Sequence, residues 1–567
     1  MPIQITKNSK TVLCAVNCKF AHTNLAVRSI KAYAKTQNPQ LNIEIFETTI
    51  NDSISNTLAR LYELDADLYG FSCYLWNINY ILELADSLKK AFSGKKEICV
   101  FLGGPEVSFD ACDVLNQNPF IDFIVCGEGE YAVYNILNGS LAECEPSVTY
   151  RCGNLIKQNK SSGEYVDLNR LPLAYMEDID TLGNRLVYYE SSRGCPFSCA
   201  YCLSGCDNKV RAKDISLVKD DFLFFINHNV PLVKLVDRTF NFNKKRTFEL
   251  VDFIIKNSKN TKFHFEISAD ILDDEILELI KSSPKELMQF EIGVQSTNIK
   301  TLNAIGRHTN FSKISKNVKK LLGYNNVHIH LDLIAGLPYE DLQSFKKSFN
   351  DVLNLKPDVL QLGFLKLLKG SKLRDNAHTY GILFSNCAPY EIIKNDYIDY
   401  TSLCELKDVE FALDRIYNSG YFKNSLDVLY KHYEYDYYKL FYDISQYFKS
   451  RGYLDVSVSK FQLYDVLYEM FKSIGTRFLD AITYDWLLNV TSHARPYWID
   501  FVSDKEFNDK CFDILKNEEL KAKIMPEYYN VPAKKIIKTT FFYKFSHKIL
   551  MFDKQNEKVI DVTEYFD

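Results

Sequence analysis

Three cysteines stand within eight residues in the run Glu190-Ser-Ser-Arg-Gly-Cys195-Pro-Phe-Ser-Cys199-Ala-Tyr-Cys202. Spaced by three and then two residues in a loop with Gly and Pro, their thiolates can converge on one point. Three soft ligands suit an iron-sulfur cluster better than a structural zinc ion, which recruits a fourth protein ligand. One iron would then be open to a small molecule that it could activate reductively. A zinc site and three packed core thiols are the alternatives. Cys206, four residues on, is either a cluster-adjacent thiol or a loop cysteine.

Other polar groups recur with strand spacing. His328, His330 and Asp332 alternate, so they share one face, as metal ligands or as hydrogen-bonding groups of an interior. Three glycine turns follow short apolar runs: Gly70-Phe-Ser72, Gly103-Gly104-Pro-Glu106 and Gly127-Glu128-Gly129-Glu130. Glycine turns at the carboxyl edge of a parallel sheet let backbone close on a broad flat ligand. No Gly-x-Gly-x-x-Gly follows the first strand, so a dinucleotide site is not indicated.

These groups need elements to hold them. Apolar runs at 11–16, 41–46, 68–73, 98–102 and 123–125 read as strands separated by amphipathic helices, which predicts a doubly wound sheet. Periodicity weakens from 144 to 184, and Arg170-Leu-Pro-Leu173 reads as a tether. Runs at 186–190, 232–236, 263–267, 287–292, 328–333 and 359–364 form a second strand-helix series, which predicts a partial parallel barrel with its site at the strand carboxyl ends. Beyond 390 the pattern becomes helical and aromatic-rich, with strands at the end. The expected fold is α/β: a Rossmann-like sheet over 1–145, a linker over 146–185, a partial (β/α)6 barrel over 186–390 and a mainly helical domain over 391–567.

The 567 residues, 46% hydrophobic and 25% charged, describe a multidomain globular chain, and a net charge of −5 gives no overall attraction to nucleic acid or anionic lipid. No apolar run is long enough to span a bilayer, and the N-terminus does not read as a signal peptide, so a cytoplasmic protein with reduced thiols is expected. Five lysines between Lys534 and Lys548 alternate with aromatics. They could touch RNA, but a half-buried terminal hairpin is the preferred reading.

The Cys-x3-Cys-x-aromatic-Cys pattern, with Tyr201 in the aromatic slot, resembles the signature of radical SAM enzymes. The resemblance implies that Cys195, Cys199 and Cys202 hold a [4Fe-4S] cluster whose fourth iron chelates S-adenosylmethionine (SAM). It also implies SAM contacts from Asp237 at the methionine ammonium, from Glu266 and Ser268 after the third strand, from Gln295 in Gly293-Val-Gln-Ser296, and from Gly336 beside the adenine. For Gln295 an interior hydrogen bond is an equal alternative.

The preceding sheet, with its Gly-Gly-Pro-Glu and Gly-Glu-Gly-Glu turns, resembles the cobalamin-binding domain of cobalamin-dependent radical SAM proteins. That implies corrinoid contacts from Ser72, Gly103, Gly104, Glu106, Gly127, Glu128 and Gly129. Asp-x-His-x-x-Gly is absent, and His22 is the one histidine before His228, so a lower axial histidine is not expected. The implied activity is transfer of methyl from methylcobalamin to an unactivated carbon, with flavodoxin or ferredoxin as electron donor. The alternatives are a radical cyclisation, rearrangement or sulfur insertion, and a non-catalytic cobalamin or redox sensor. The substrate, whether small molecule, peptide or RNA, and the oligomeric state are not legible.

Overall fold

The computed structural model describes residues 5–160, 165–205, 209–454, 456–490, 496–500, 504–556 and 558–566, so Cys206 lies outside the described residues. The chain divides into two compact units, Met1–Ser348 with Gln361–Leu403, and Phe349–Leu360 with Cys404–Asp567.

The first unit opens with strands β1 (Thr11–Asn17), β2 (Ile43–Thr49), β3 (Leu68–Ser72), β4 (Cys99–Gly103), β5 (Phe123–Val125), β6 (Val148–Cys152) and β7 (Leu155–Gln158). They form one sheet in the order β2-β1-β3-β4-β5-β6-β7. The first five are parallel, while β6 and β7 are antiparallel. Every residue of β1 is buried, as a strand with both faces covered must be. On one face Val12, Cys14 and Leu102 pack with Ile81, Leu84 and Leu88 of the helix Ile78–Phe92. On the other, Leu13, Ala15 and Phe101 pack with Val27 and Ala34 of the helix Leu25–Gln37.

The β6–β7 hairpin falls where the sequence pattern weakens. Three of the four β7 residues are exposed, so this edge strand carries no apolar alternation to read. Nor is the following segment a free tether: Tyr175 is fully buried and its hydroxyl hydrogen-bonds Thr23 Oγ1 at 3.0 Å.

The second sheet is built from β8 (Val187–Tyr189), β11 (Leu232–Leu235), β12 (Lys262–Ile267), β13 (Met288–Gln295), β14 (His328–Ala335) and β15 (Val359–Phe364). They lie side by side in sequence order, the first five parallel. Burial alternates strictly along β13 and β14. Phe290, Ile292, Ile329 and Leu331 fill the apolar face, which leaves Gln289, Glu291, His328, His330 and Asp332 on the other. Two short strands, β9 (Ser192–Gly194) and β10 (Val210–Ala212), pair antiparallel and close the neck of the cysteine loop.

The second unit contains the helices Lys423–His432, Tyr437–Ser450, Lys460–Phe471, Thr476–Asn489, Lys505–Lys516 and Glu518–Ile524, followed by an antiparallel sheet of Thr540–Lys544, Ile549–Asp553 and Lys558–Asp561. The basic aromatic stretch thus enters a terminal hairpin. Among the described residues no helix is long and apolar enough to cross a membrane.

Candidate functional site

The cysteine loop is fastened by backbone. Ala200 N donates to Ile305 O and Leu373 N donates to Ala200 O, both at 2.8 Å, while Cys202 N donates to Cys199 O at 3.0 Å. At its neck Gly194 has φ +97°, and a Cβ there would run into the Lys209 carbonyl, so only glycine fits. Cys195 and Cys199 are buried and Cys202 is half-buried. Cys195 Sγ lies 3.5 Å from Thr239 Oγ1, and burial pushes its thiol up.

Arg307 Nη1 donates to Cys199 Sγ at 3.6 Å, and Nη2 donates to Gly293 O. A cation beside a thiolate favours the ligating form. Arg307 escaped the sequence reading because nothing in Ile305-Gly-Arg-His308 marks it; the signal is spatial. Among the described residues no three His, Cys, Asp or Glu side chains converge tightly enough for a single metal ion. Three thiolates on one backbone-fastened loop, with Arg307 beside one of them, fit the donor set of a cluster.

The residues expected around SAM divide. Asp237 is fully buried; its oxygens accept from Ser191 N at 2.8 Å, Ser191 Oγ at 2.6 Å and Ser192 Oγ at 2.5 Å. It pins the strand leading to the cysteines, with both oxygens engaged by Ser191 and Ser192. Ser268 is likewise buried, with its hydroxyl given to Asp270 Oδ1 at 2.7 Å and its backbone held by Asn241. Gly336 has φ +89°, and a Cβ there would come within 2.9 Å of Ile392, so Ile392 packing explains the glycine. Two groups remain available. Glu266 is half-buried, 3.9 Å from Arg238, and burial pushes its carboxyl up against that charge. Gln295 sits at φ +68°, next to the register shift between β13 and β14, with a buried Oε1 that has no partner.

Below them the sheet face is polar over several strands. Lys234 Nζ lies 3.2 Å from Glu291 Oε2, and His264 Nε2 lies 3.0 Å from the same oxygen. His264 and Lys234 hold Glu291 down to about 2. Burial and the neighbouring imidazoles hold His330 down at about 4, so it is neutral near pH 7. Burial, Glu291 and Glu266 push Asp332 well above the carboxylate range. Asp332 Oδ1 and His328 Nδ1 are buried without partners. Interiors of such barrels are ordinarily packed with branched apolar residues. Unsatisfied polar atoms in their place mark a surface for a polar ligand.

The carboxyl edge of the first sheet meets this region. His22, after β1, hydrogen-bonds the Tyr188 hydroxyl on β8, and Tyr74, after β3, lies within the fields of Arg238 and Glu190. Tyr74 stacks on Trp76 at 4.4 Å between centroids, and Trp76 is 44% exposed. Gly127 has φ +76° and open space where a Cβ would stand, and Gly103 meets only Val125 O at 3.6 Å. This open backbone and the exposed Trp76 ring, backed by Tyr74, suit a broad flat ligand.

Other expected contacts are otherwise engaged. A Cβ on Gly104 would strike the Cys73 backbone, and one on Gly129 would come within 3.3 Å of Ile30, so both answer to packing. Ser72 is buried, and its hydroxyl engages Tyr74. Glu106 is 5% exposed, accepts from the Tyr390 hydroxyl and lies 3.1 Å from Lys369 Nζ. Glu128 is bound by Arg193 and Arg211. Cations and a phenol thus engage the oxygens of both carboxylates.

Comparison with known proteins agrees with this geometry. Residues 12–137 match the B12 binding domain, residues 189–352 match the radical SAM superfamily, and residues 378–563 match a protein family of unknown function, DUF4080. The chain is 27% identical over 311 residues to 2-(S-pantetheinyl)-carbapenam-3-carboxylate methyltransferase of Streptantibioticus cattleyicolor, covering 51% of this chain and 45% of that one. It is 24% identical over 317 residues to anaerobic magnesium-protoporphyrin IX monomethyl ester cyclase of Cereibacter sphaeroides, covering 53% and 51%. The chain thus spans about half the length of these curated relatives. Its fold is like that of the cobalamin-dependent S-adenosylmethionine radical enzyme OxsB with aqua-cobalamin and S-adenosylmethionine bound, with a TM-score of 0.60 over 84% of each chain at 15% identity. The chain therefore joins a B12-binding domain to a radical SAM domain. Those domains define its cofactors as cobalamin, a [4Fe-4S] cluster and SAM.

Proposed function

We propose that this chain is a cobalamin-dependent radical SAM methyltransferase acting on an unactivated carbon of a polar substrate. The observation that carries the reading is the meeting of two carboxyl edges in one unit: the open backbone at Gly103 and Gly127, and the loop of Cys195, Cys199 and Cys202. When bound, the cluster supplies the electron that cleaves SAM, and the corrinoid carries the methyl group.

The residues around these groups have separate tasks. Cys195, Cys199 and Cys202 ligate the cluster, with Arg307 compensating thiolate charge at Cys199. Glu266, beside Arg238, and Gln295, with its unpartnered oxygen, face the ligand end of the sheet and orient SAM. Gly103, Gly127 and the Tyr74–Trp76 pair form the corrinoid seat. Asp332, whose carboxyl is pushed up by burial, Glu291 and Glu266, and His328 hydrogen-bond the substrate from the strand face. Flavodoxin or ferredoxin serves as the electron donor, and the substrate is a small molecule, peptide or RNA.

Similarity to a cyclase favours one second reading, a radical cyclisation without methyl transfer. Anaerobic incubation of the reconstituted full chain with SAM, hydroxocobalamin and reduced flavodoxin separates the two. A methyltransferase passes the methyl of one SAM to the reduced corrinoid, releasing S-adenosylhomocysteine, and cleaves a second SAM to methionine and 5′-deoxyadenosine; 5′-deoxyadenosine and methionine alone leave the cyclisation standing. No cleavage of SAM under reducing conditions would sink both.

A further inference from the structure

Arg193 stands two residues before the first cluster cysteine, on β9, and is the shared cation of three carboxylates. Its Nη2 lies 2.8 Å from Glu130 Oε1 and 2.8 Å from Glu190 Oε2, and its Nη1 lies 3.3 Å from Glu128 Oε2. The group is nearly closed to water, with the Arg193 side chain 19% exposed and Glu130 6% exposed. Burial alone would raise the Glu130 carboxyl; Arg193 and Ser29 overcome it and hold the group below its ordinary value.

The partner strand repeats the charge. Arg211 on β10 lies directly opposite Arg193 in the antiparallel ladder. Like charges in facing positions repel and would part a three-residue ladder. Glu128 bridges them: one oxygen takes Arg211, and the other takes Arg193 and the Val166 amide at 2.9 Å. Arg211 is also held by the Val166 carbonyl at 2.9 Å and the Tyr165 ring at 4.3 Å. The hairpin that closes the cysteine loop is thus completed by two carboxylates from the Gly127-Glu128-Gly129-Glu130 turn of the first sheet.

We infer that Glu128 and Glu130 are positioning residues that couple the corrinoid seat to the cluster loop through Arg193 and Arg211, so that loading one site alters ligand affinity at the other. The inference rests on the functional reading above. A turn that both lines the first sheet's edge through Gly127 and holds the neck of the cysteine loop cannot reset at one end without the other. By linkage the effect is reciprocal between the two binding events.

The test uses the full chain, reconstituted anaerobically with iron and sulfide, and measures the Kd of SAM by calorimetry with and without hydroxocobalamin. In the unaltered chain, hydroxocobalamin shifts the SAM Kd by about fivefold or more. In the double variant Glu128→Gln with Glu130→Gln, the shift falls below about twofold, while iron content and corrinoid uptake persist. Because each protein is its own control, a uniform loss of SAM affinity leaves this ratio unmoved. Should the double variant fail to fold, Arg211→Gln, which leaves the Arg193 cluster intact, is expected to lower the ratio partially. An unchanged ratio in the variant, or no shift in an unaltered chain that takes up both cofactors, overturns the inference alone. An unaltered chain that takes up no corrinoid or no cluster overturns the functional reading with it.

Discussion

At the carboxyl edge of the first sheet, carboxylates are matched to cations, Arg28 from the first sheet's own helix Leu25–Gln37 and the others from the segments around the second. Glu47 meets Arg28 at 2.9 Å and Arg185 at 2.8 Å, Glu106 meets Lys369, and Glu128 and Glu130 meet Arg193. On the polar face of the second sheet the balance is reversed. Asp332 and Glu266 crowd one another and Glu291, and burial raises both. Glu340, after β14, is 1% exposed and accepts from the Ser296 and Ser348 hydroxyls at 2.5 Å and 2.9 Å, with its other oxygen unpartnered among the described residues. The difference separates two uses of buried charge. Paired groups join the sheets and have no capacity left for a ligand, whereas groups kept short of partners gain by meeting one.

Removing the shared cation strikes the paired side hardest. Arg193→Met leaves three carboxylates facing one another, and loss of one partner from a buried ion pair costs about 3–5 kcal/mol. Anaerobic denaturant unfolding should show that loss, together with reduced iron retention. A loss under about 1 kcal/mol would show the network to be solvated and the contrast false.

Titration sharpens the contrast because the two sides move oppositely. Arg28 and Arg185 overcome burial and hold Glu47 down to about 2, so its stabilisation is present above its unfolded value and is lost as pH falls towards 2. Burial raises Glu340 to about 7 against the two serine hydroxyls, so its protonated form contributes below its unfolded value, and that stability is lost as pH rises to 7. The Glu340 shift corresponds to about 3 kcal/mol between those limits. Unfolding from pH 3 to 8 should therefore find Glu47→Gln flattening the acid limb and Glu340→Gln flattening the fall towards neutrality. Parallel profiles for both variants would refute the assignment.

The smallest effect on stability belongs to the unpaired side. Asp332→Asn puts a neutral amide where burial and two neighbouring carboxylates already disfavour an anion, and should change unfolding free energy by less than about 1 kcal/mol. Substrate-dependent formation of S-adenosylhomocysteine should fall at least about tenfold, as expected when a hydrogen bond at a reacting site is lost. A large loss of stability would place Asp332 among the structural carboxylates.

Much of this molecule was legible in linear order. Both strand-helix series, the cysteine loop and the glycine turns depend on local spacing, because hydrophobic period and backbone freedom act over a few residues. The exposed β7 strand was missed because an edge needs no apolar alternation. Which polar residue binds and which only braces depends on where its partner stands. Asp237 and Glu128 have the same chemistry as Glu266, yet Ser191 and Ser192, 45 or 46 positions earlier, close the first, and Arg193 and Arg211 close the second. Arg307 reaches Cys199 across 108 positions. The sequence alone determined which groups could ligate iron and which turns could admit a flat ring; only tertiary structure decided which carboxylates remained unpaired, because desolvation and charge pairing act through space between residues far apart in the chain.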